Sequence, residues 1–192
     1  SDMLGGVAAF MAFLGEHAQN PALSSDLSLI VYAKEEGTAI HDNGLYELIQ
    51  TFPDFFNSMD LAIVGEPTDG TVQVGCVGSL HAKVRIEGQA CHSARPWQGK
   101  NALTEAIPFI QHVAHFSPRK QTVFGVDFFD VMSITESASE PGRTSIPGYW
   151  EANINFRYSP IMTMEDAETF VVAYLTQSGV PIEITITDNV FA

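Results

Sequence analysis

The rhythm of apolar and polar positions changes near residue 70. In residues 3–18, MLGGVAAFMAFLGEHA, apolar side chains recur at helical spacing behind Ser1 and Asp2, either of which can cap the start. LSLIVYA (27–33) follows as an apolar strand, NGLYELIQTF (43–52) as a second helix, and LAIV (61–64) as a short strand running into Gly65, Glu66 and Pro67. TDGT (68–71) is a turn signal. Beyond it the pattern predicts a strand over 72–87, a helix over 101–116, strands over 128–136 and 149–158, a helix over 164–177 and a strand over 181–187. Alternation is cleanest in HAKVRIEG and EANINFRYS, which would each present one apolar and one wet face.

The first stretch predicts part of an α/β sheet, and the second, with its βαββαβ order, an α+β unit of the ferredoxin-like kind in which two helices cover an antiparallel sheet. The expected organisation is a partial α/β domain over 1–71, the second unit over 72–188, and a return of the chain, NVFA, to the first domain over 189–192. With 192 residues and 45% hydrophobic content the chain can bury a core. Nine basic against 23 acidic residues leave a formal charge of -14, which argues against nucleic acid or an anionic membrane as partner. Two cysteines make a disulfide framework improbable and a reducing compartment the expectation. No apolar run approaches the roughly 18 residues of a membrane span, so the expected location is the cytoplasm.

Both early strands end on acids. Glu35 and Glu36 close the first, and Glu66 follows the second, at the strand edge where open α/β sheets collect ligands. Adjacent side chains of an extended segment point to opposite sides, so Glu35 and Glu36 should have different jobs. In a metallohydrolase one would bind the metal and the other would take a proton from metal-bound water. Taken singly, Asp2 reads as a helix N-cap, Glu66 as a loop acid, and the pair as solvated charges. Their order along the chain carries the sharper interpretation.

SDMLGG, KEEGTA with the following NGL, VGEPTD, and GSLHAKVRIEGQACHSARPWQGKNA together resemble the di-zinc aminoacylase and carboxypeptidase superfamily, with the succinyl-diaminopimelate desuccinylases most similar. The resemblance implies that residues 1–71 belong to a zinc-binding catalytic domain and 72–188 to a lid and dimerisation domain. Asp2 would bridge two zinc ions, with cobalt an alternative metal. Glu36 and Glu66 would each bind one ion, and Glu35 would be the general base. His92 would stabilise the oxyanion in the partner's active site of a homodimer, its plainer role being a loop imidazole. Arg157 would bind the substrate carboxylate, or else pair with a surface acid. The implied reaction is hydrolysis of an N-acyl amino acid, N-succinyl-diaminopimelate foremost. Acetylornithine deacetylase, a broader metallocarboxypeptidase and a non-catalytic dimerisation module are the alternatives.

Some positions depart from the family. The superfamily's two metal-binding histidines, one in an HxD segment ahead of SDM and one near the C-terminus, have no counterpart here. We therefore expect weak metal binding and no hydrolysis from these 192 residues alone. Thr144, in RTSIPG, stands where desuccinylases carry a substrate-loop asparagine, and Leu4, Cys76, Val77 and Cys91 replace other usual residues. His17, His41, His81, His112 and His115 have no motif support and are expected to be structural.

Overall fold

The computed structural model describes residues 2–17, 20, 22, 25–35 and 40–191, the side chains of Asp2 and Met3 excepted. The chain divides into two compact units, Ser1–Val72 and Gln73–Ala192.

The first unit is helical where it is regular. Helix α1 spans Asp2–His17, α2 Gly44–Thr51 and α3 Pro53–Asn57. Asn43 caps α2 by accepting the Leu45 N–H through Oδ1 at 2.8 Å. The helix expected over 43–52 ends at Phe52, whose φ of -126° and ψ of 53° are non-helical. Pro53 accounts for this, because its ring disfavours helical geometry in the residue before it and suits the first turn of the next helix. The strands expected at 27–33 and 61–64 are a correction. Neither segment joins a β-ladder among the described residues. An apolar run can favour extended backbone by itself, but a strand needs a neighbour to take its N–H and C=O groups.

The second unit is a five-stranded antiparallel sheet. Its strands are β1 (Gly78–Glu87), β3 (Arg119–Val123), β4 (Val126–Ser139), β6 (Tyr149–Tyr158) and β7 (Glu183–Val190), in the spatial order β3-β4-β6-β1-β7. The short strands β2 (Cys91–His92) and β5 (Ser145–Ile146) form a separate ribbon. Along β6 every second side chain is buried, and Trp150, Ala152, Ile154, Phe156 and Tyr158 share one face with Leu80, Ala82, Val84 and Ile86 of β1. Helices α4 (Ala102–Glu105), α5 (Ile107–Ala114) and α6 (Met164–Thr176) supply Ala102, Phe109, Val113, Val171 and Leu175 to the same core.

Pro108 splits the helix expected over 101–116 into α4 and α5, since it has no N–H to donate to Thr104. Strand β3 was not expected. It pairs with β4 through a two-residue turn, Phe124 and Gly125, both at positive φ (50° and 82°). That is the twist a tight hairpin requires. Asp130 is fully buried in β4, where it accepts from Arg119 Nη2 at 2.9 Å and from the Ser159 backbone N–H at 2.7 Å. The Arg119 guanidinium lies 3.9 Å above the Phe170 ring, tying the β3 edge to α6. Thr163 and Asp166 cap α6 reciprocally. No described helix is long and apolar enough to cross a membrane.

Candidate functional site

Within the first unit three acid-bearing segments converge. Gly6, in the second turn of α1, approaches the 65–66 segment so closely that a Cβ there would lie 2.8 Å from the Gly65 oxygen. Gly44 opens α2 against residue 33, where a Cβ would lie 2.6 Å from the Ala33 oxygen, and its N–H donates to that oxygen at 3.0 Å. The Asn43 side-chain amide reaches the Glu35 carbonyl at 3.4 Å. Thus the helix that begins at Asp2, the end of the 29–35 segment and the Gly65-Glu66 corner lie together. Tyr32 sits among them. Its hydroxyl is pushed above its ordinary value of 10.0 by burial and then by the charges of Glu35 and Glu66. No motif or periodicity singles out Tyr32, although it lies three residues before Glu35.

Glu35 and Glu66 are exposed. Glu36 and the Asp2 side chain lie outside the described residues, so the four-carboxylate set is seen only in part. Among the described residues no three His, Cys, Asp or Glu side chains are grouped closely enough to hold a metal ion. Two carboxylates fall short of the four donors a zinc ion normally takes, and the described residues by themselves do not fit zinc.

In the second unit His92 lies on β2, opposite Ser145 of β5. The Ser93 N–H donates to the Thr144 carbonyl at 2.8 Å, so the ribbon brings His92 and Thr144 together on one exposed loop pair. The Ala94 N–H donates to His92 Nδ1 at 3.1 Å. With Nδ1 accepting, the neutral ring carries its proton on Nε2 and presents a donor outward. Arg157 is elsewhere. It stands near the end of β6, opposite Ser79 of β1, and donates to the Val77 carbonyl at 3.3 Å. The His92 ribbon adjoins the other end of β6, where Gly88 donates to the Gly148 carbonyl. Tyr149 to Arg157 is about 26 Å at the usual strand rise, so one small molecule cannot touch His92 and Arg157 of the same chain.

Two of the histidines expected to be structural have partners within the second unit. His112 is half-buried. Its Nε2 is 2.8 Å from the Tyr174 carbonyl, its ring stacks on Tyr174, and the Tyr174 hydroxyl donates to the His112 carbonyl, locking α5 to α6. His81 lies on the polar face of the sheet between Asn153 and Asn155.

Residues 74–183 match the family described as the peptidase dimerisation domain. The chain belongs to that family. As a peptidase dimerisation domain protein it is also similar to curated desuccinylases along most of its length. It is 34% identical over 178 residues to the succinyl-diaminopimelate desuccinylase of Corynebacterium glutamicum, covering 93% of this chain and 48% of the relative. It is 31% identical to that of Stenotrophomonas maltophilia (93% and 48%) and 31% identical to that of Rickettsia felis (85% and 44%). The chain thus spans about half the length of the curated relatives it matches.

Proposed function

We propose that this peptidase dimerisation domain protein serves hydrolysis of the amide bond of an N-acyl amino acid, of the N-succinyl-diaminopimelate type, in a homodimeric enzyme. The observation that carries the proposal is the approach of α1, at Gly6, to the Gly65-Glu66 corner, together with Tyr32 lying within reach of the charges of both Glu35 and Glu66. A binding module has no evident need for two carboxylates placed so. The names of the desuccinylase relatives support the choice of acyl group. On this proposal residues 1–71 belong to the catalytic domain and 72–188 form a ferredoxin-like lid, and the chain returns toward the catalytic domain only beyond Val190, because β7 carries Asn189 and Val190 in the second unit's sheet.

Each side chain has a chemical role here. Glu35 is the general base, a carboxylate that accepts a proton from the attacking water and returns it to the leaving amine. Asp2, Glu36 and Glu66 are the carboxylates proposed to hold two zinc or cobalt ions, with further donors needed to complete each shell. Bound metal would supply Lewis-acid polarisation of the amide. His92 presents Nε2–H to the developing oxyanion, and Arg157 and Thr144 contact the substrate's polar groups. Because Arg157 stands about 26 Å along β6 from the end of that strand which the His92 ribbon adjoins, a site that uses both draws them from two protomers.

A non-catalytic dimerisation module is the second possibility, favoured by the unpaired apolar segments of the first unit, where Leu61 is 78% exposed. The discriminating experiment compares succinyl-diaminopimelate with acetylornithine as substrates, with zinc or cobalt supplied, in this chain and in a protein of the relatives' full length that contains it. The proposal expects succinyl hydrolysis in the longer protein, with Glu35→Gln losing most turnover while retaining metal. Equal turnover by the Glu35→Gln variant would remove Glu35 from the base role. No hydrolysis of either substrate would favour the module.

A further inference from the structure

Tyr32 lies within reach of two carboxylates of the first unit and has been given no role. In a regularly extended chain, residues three apart point to opposite faces, so Tyr32 and Glu35 would look away from each other. Lys34 breaks that alternation. Its φ of 60° is in the left-handed region that side chains other than glycine rarely adopt, and it turns the backbone between the two residues. Strain of this kind persists only where the surroundings impose it, and it collects at functional sites. Here the start of α2 imposes it, with one bond on either side of Lys34. The Gly44 N–H donates to the Ala33 carbonyl at 3.0 Å, and the Asn43 side-chain amide reaches the Glu35 carbonyl at 3.4 Å. Gly44 allows the approach, since a Cβ there would lie 2.6 Å from the Ala33 oxygen and 3.3 Å from Tyr32 Cβ.

The clamp fixes the backbone of Glu35 and leaves its side chain to be held by something else. Glu35 is exposed, and among the described residues its carboxylate makes no hydrogen bond or ion pair. A general base has to be held close to its working geometry, and a misplacement of about 1 Å costs about 100-fold in rate. Tyr32 is half-buried, and its hydroxyl feels the charge of Glu35 and then that of Glu66. Burial and those charges keep the proton on the phenol, which toward a carboxylate can act only as a donor. In this structure the two side chains interact through charge and not through a hydrogen bond, and catalytic hydrogen bonds commonly tighten only with substrate bound. We infer that Tyr32 is a positioning residue for Glu35, its hydroxyl donating to that carboxylate in the substrate complex, with the clamped left-handed turn at Lys34 bringing the two side chains to one side. The inference rests on the hydrolytic role proposed above and deepens it.

The test is a double-mutant cycle on Tyr32 and Glu35 in a protein of the relatives' full length that contains this chain, with zinc supplied and succinyl-diaminopimelate and acetylornithine as substrates. Tyr32→Phe removes one oxygen. It should lower kcat about tenfold and leave KM, bound metal and melting temperature unchanged. Added to Glu35→Gln, the same substitution should change the residual turnover by less than about twofold, because no base is left to position. A normal kcat in Tyr32→Phe, with Glu35→Gln inactive, would overturn the inference and leave Glu35 as the base. Equal losses from Tyr32→Phe on both backgrounds would place the hydroxyl's action elsewhere and overturn it likewise. A fall in melting temperature or bound metal that accompanies the loss of turnover would assign Tyr32 to the structure of the unit and overturn the positioning role. Full turnover in Glu35→Gln, or no hydrolysis of either substrate by the unsubstituted protein, would overturn the functional proposal and the inference together.

Discussion

The two units spend similar sequence in opposite ways. In the second, Ile154 and Phe156 of β6 are completely buried because β1 and β4 flank the strand and α5 and α6 cover it. In the first, LAIV is just as apolar, yet Leu61 is 78%, Ile63 72% and Val64 72% exposed, with no ladder partner among the described residues. Near residues 29–31, Leu48, Phe52, Phe55 and Phe56 line an open apolar groove rather than a sealed core. An apolar run states a preference for burial. Whether it is satisfied depends on chain elsewhere, and the second unit contains its partners while the described part of the first does not.

If that contrast is right, truncating a core residue and an exposed one of equal hydrophobicity should give very different results. Phe156→Ala should destabilise the second unit by about 4 kcal/mol, the cost of a cavity at a fully packed aromatic, read from denaturant midpoints. Leu61→Ser should stay within about 0.5 kcal/mol, as a substitution at a side chain already in water does. A large loss at Leu61 would show that its segment is packed after all.

Asp130→Ala comes next. It removes the acceptor for the Ser159 N–H and the partner of Arg119, but Arg119 is 38% exposed and regains water. A loss of about 2–3 kcal/mol is therefore expected, below the full cost of stranding a buried charge. Thr163→Ala should cost about 1 kcal/mol by breaking the α6 capping box. The same Thr163 contacts hold the Asp166 carboxyl below its ordinary 3.8.

The smallest effect is with pH. Arg85 and then Lys83 hold Glu151 below its ordinary 4.5, and Lys120 and then Thr122 hold Asp127 below 3.8. A depressed folded-state value means that the folded protein releases the proton more readily than the unfolded chain, so the stabilisation is present above those ordinary values and is lost as pH falls through them and below. The melting temperature of the second unit should be flat from neutral pH to about 5 and decline modestly from about 4.5 downward. Glu151→Gln should flatten the upper part of that decline.

Much of the second unit was legible because its information is local. β1 and β6 alternate strictly, and Pro108 and Thr163 mark helix boundaries in their own chemistry. Strand β3 was not, since its turn places the fully exposed Phe124 at positive φ, where Asn or Asp would have been the usual cue. The strands expected at 27–33 and 61–64 failed for the complementary reason, because periodicity reports a segment's apolarity and pairing is non-local. At the candidate site, the acids Glu35 and Glu66 could be singled out from their places after apolar runs, and their shared neighbour Tyr32 could not. The separation of His92 from Arg157 was equally invisible, because it follows from which end of β6 each one occupies.

The most direct test of the contrast is residue-resolved amide hydrogen exchange on the intact chain. Amides of β1 and β6 should exchange only through global opening of the second unit, while those of residues 29–33 and 61–64, which join no ladder, should exchange close to the intrinsic rate of unstructured chain. Protection of residues 29–33 and 61–64 comparable to that of β6 would contradict the account.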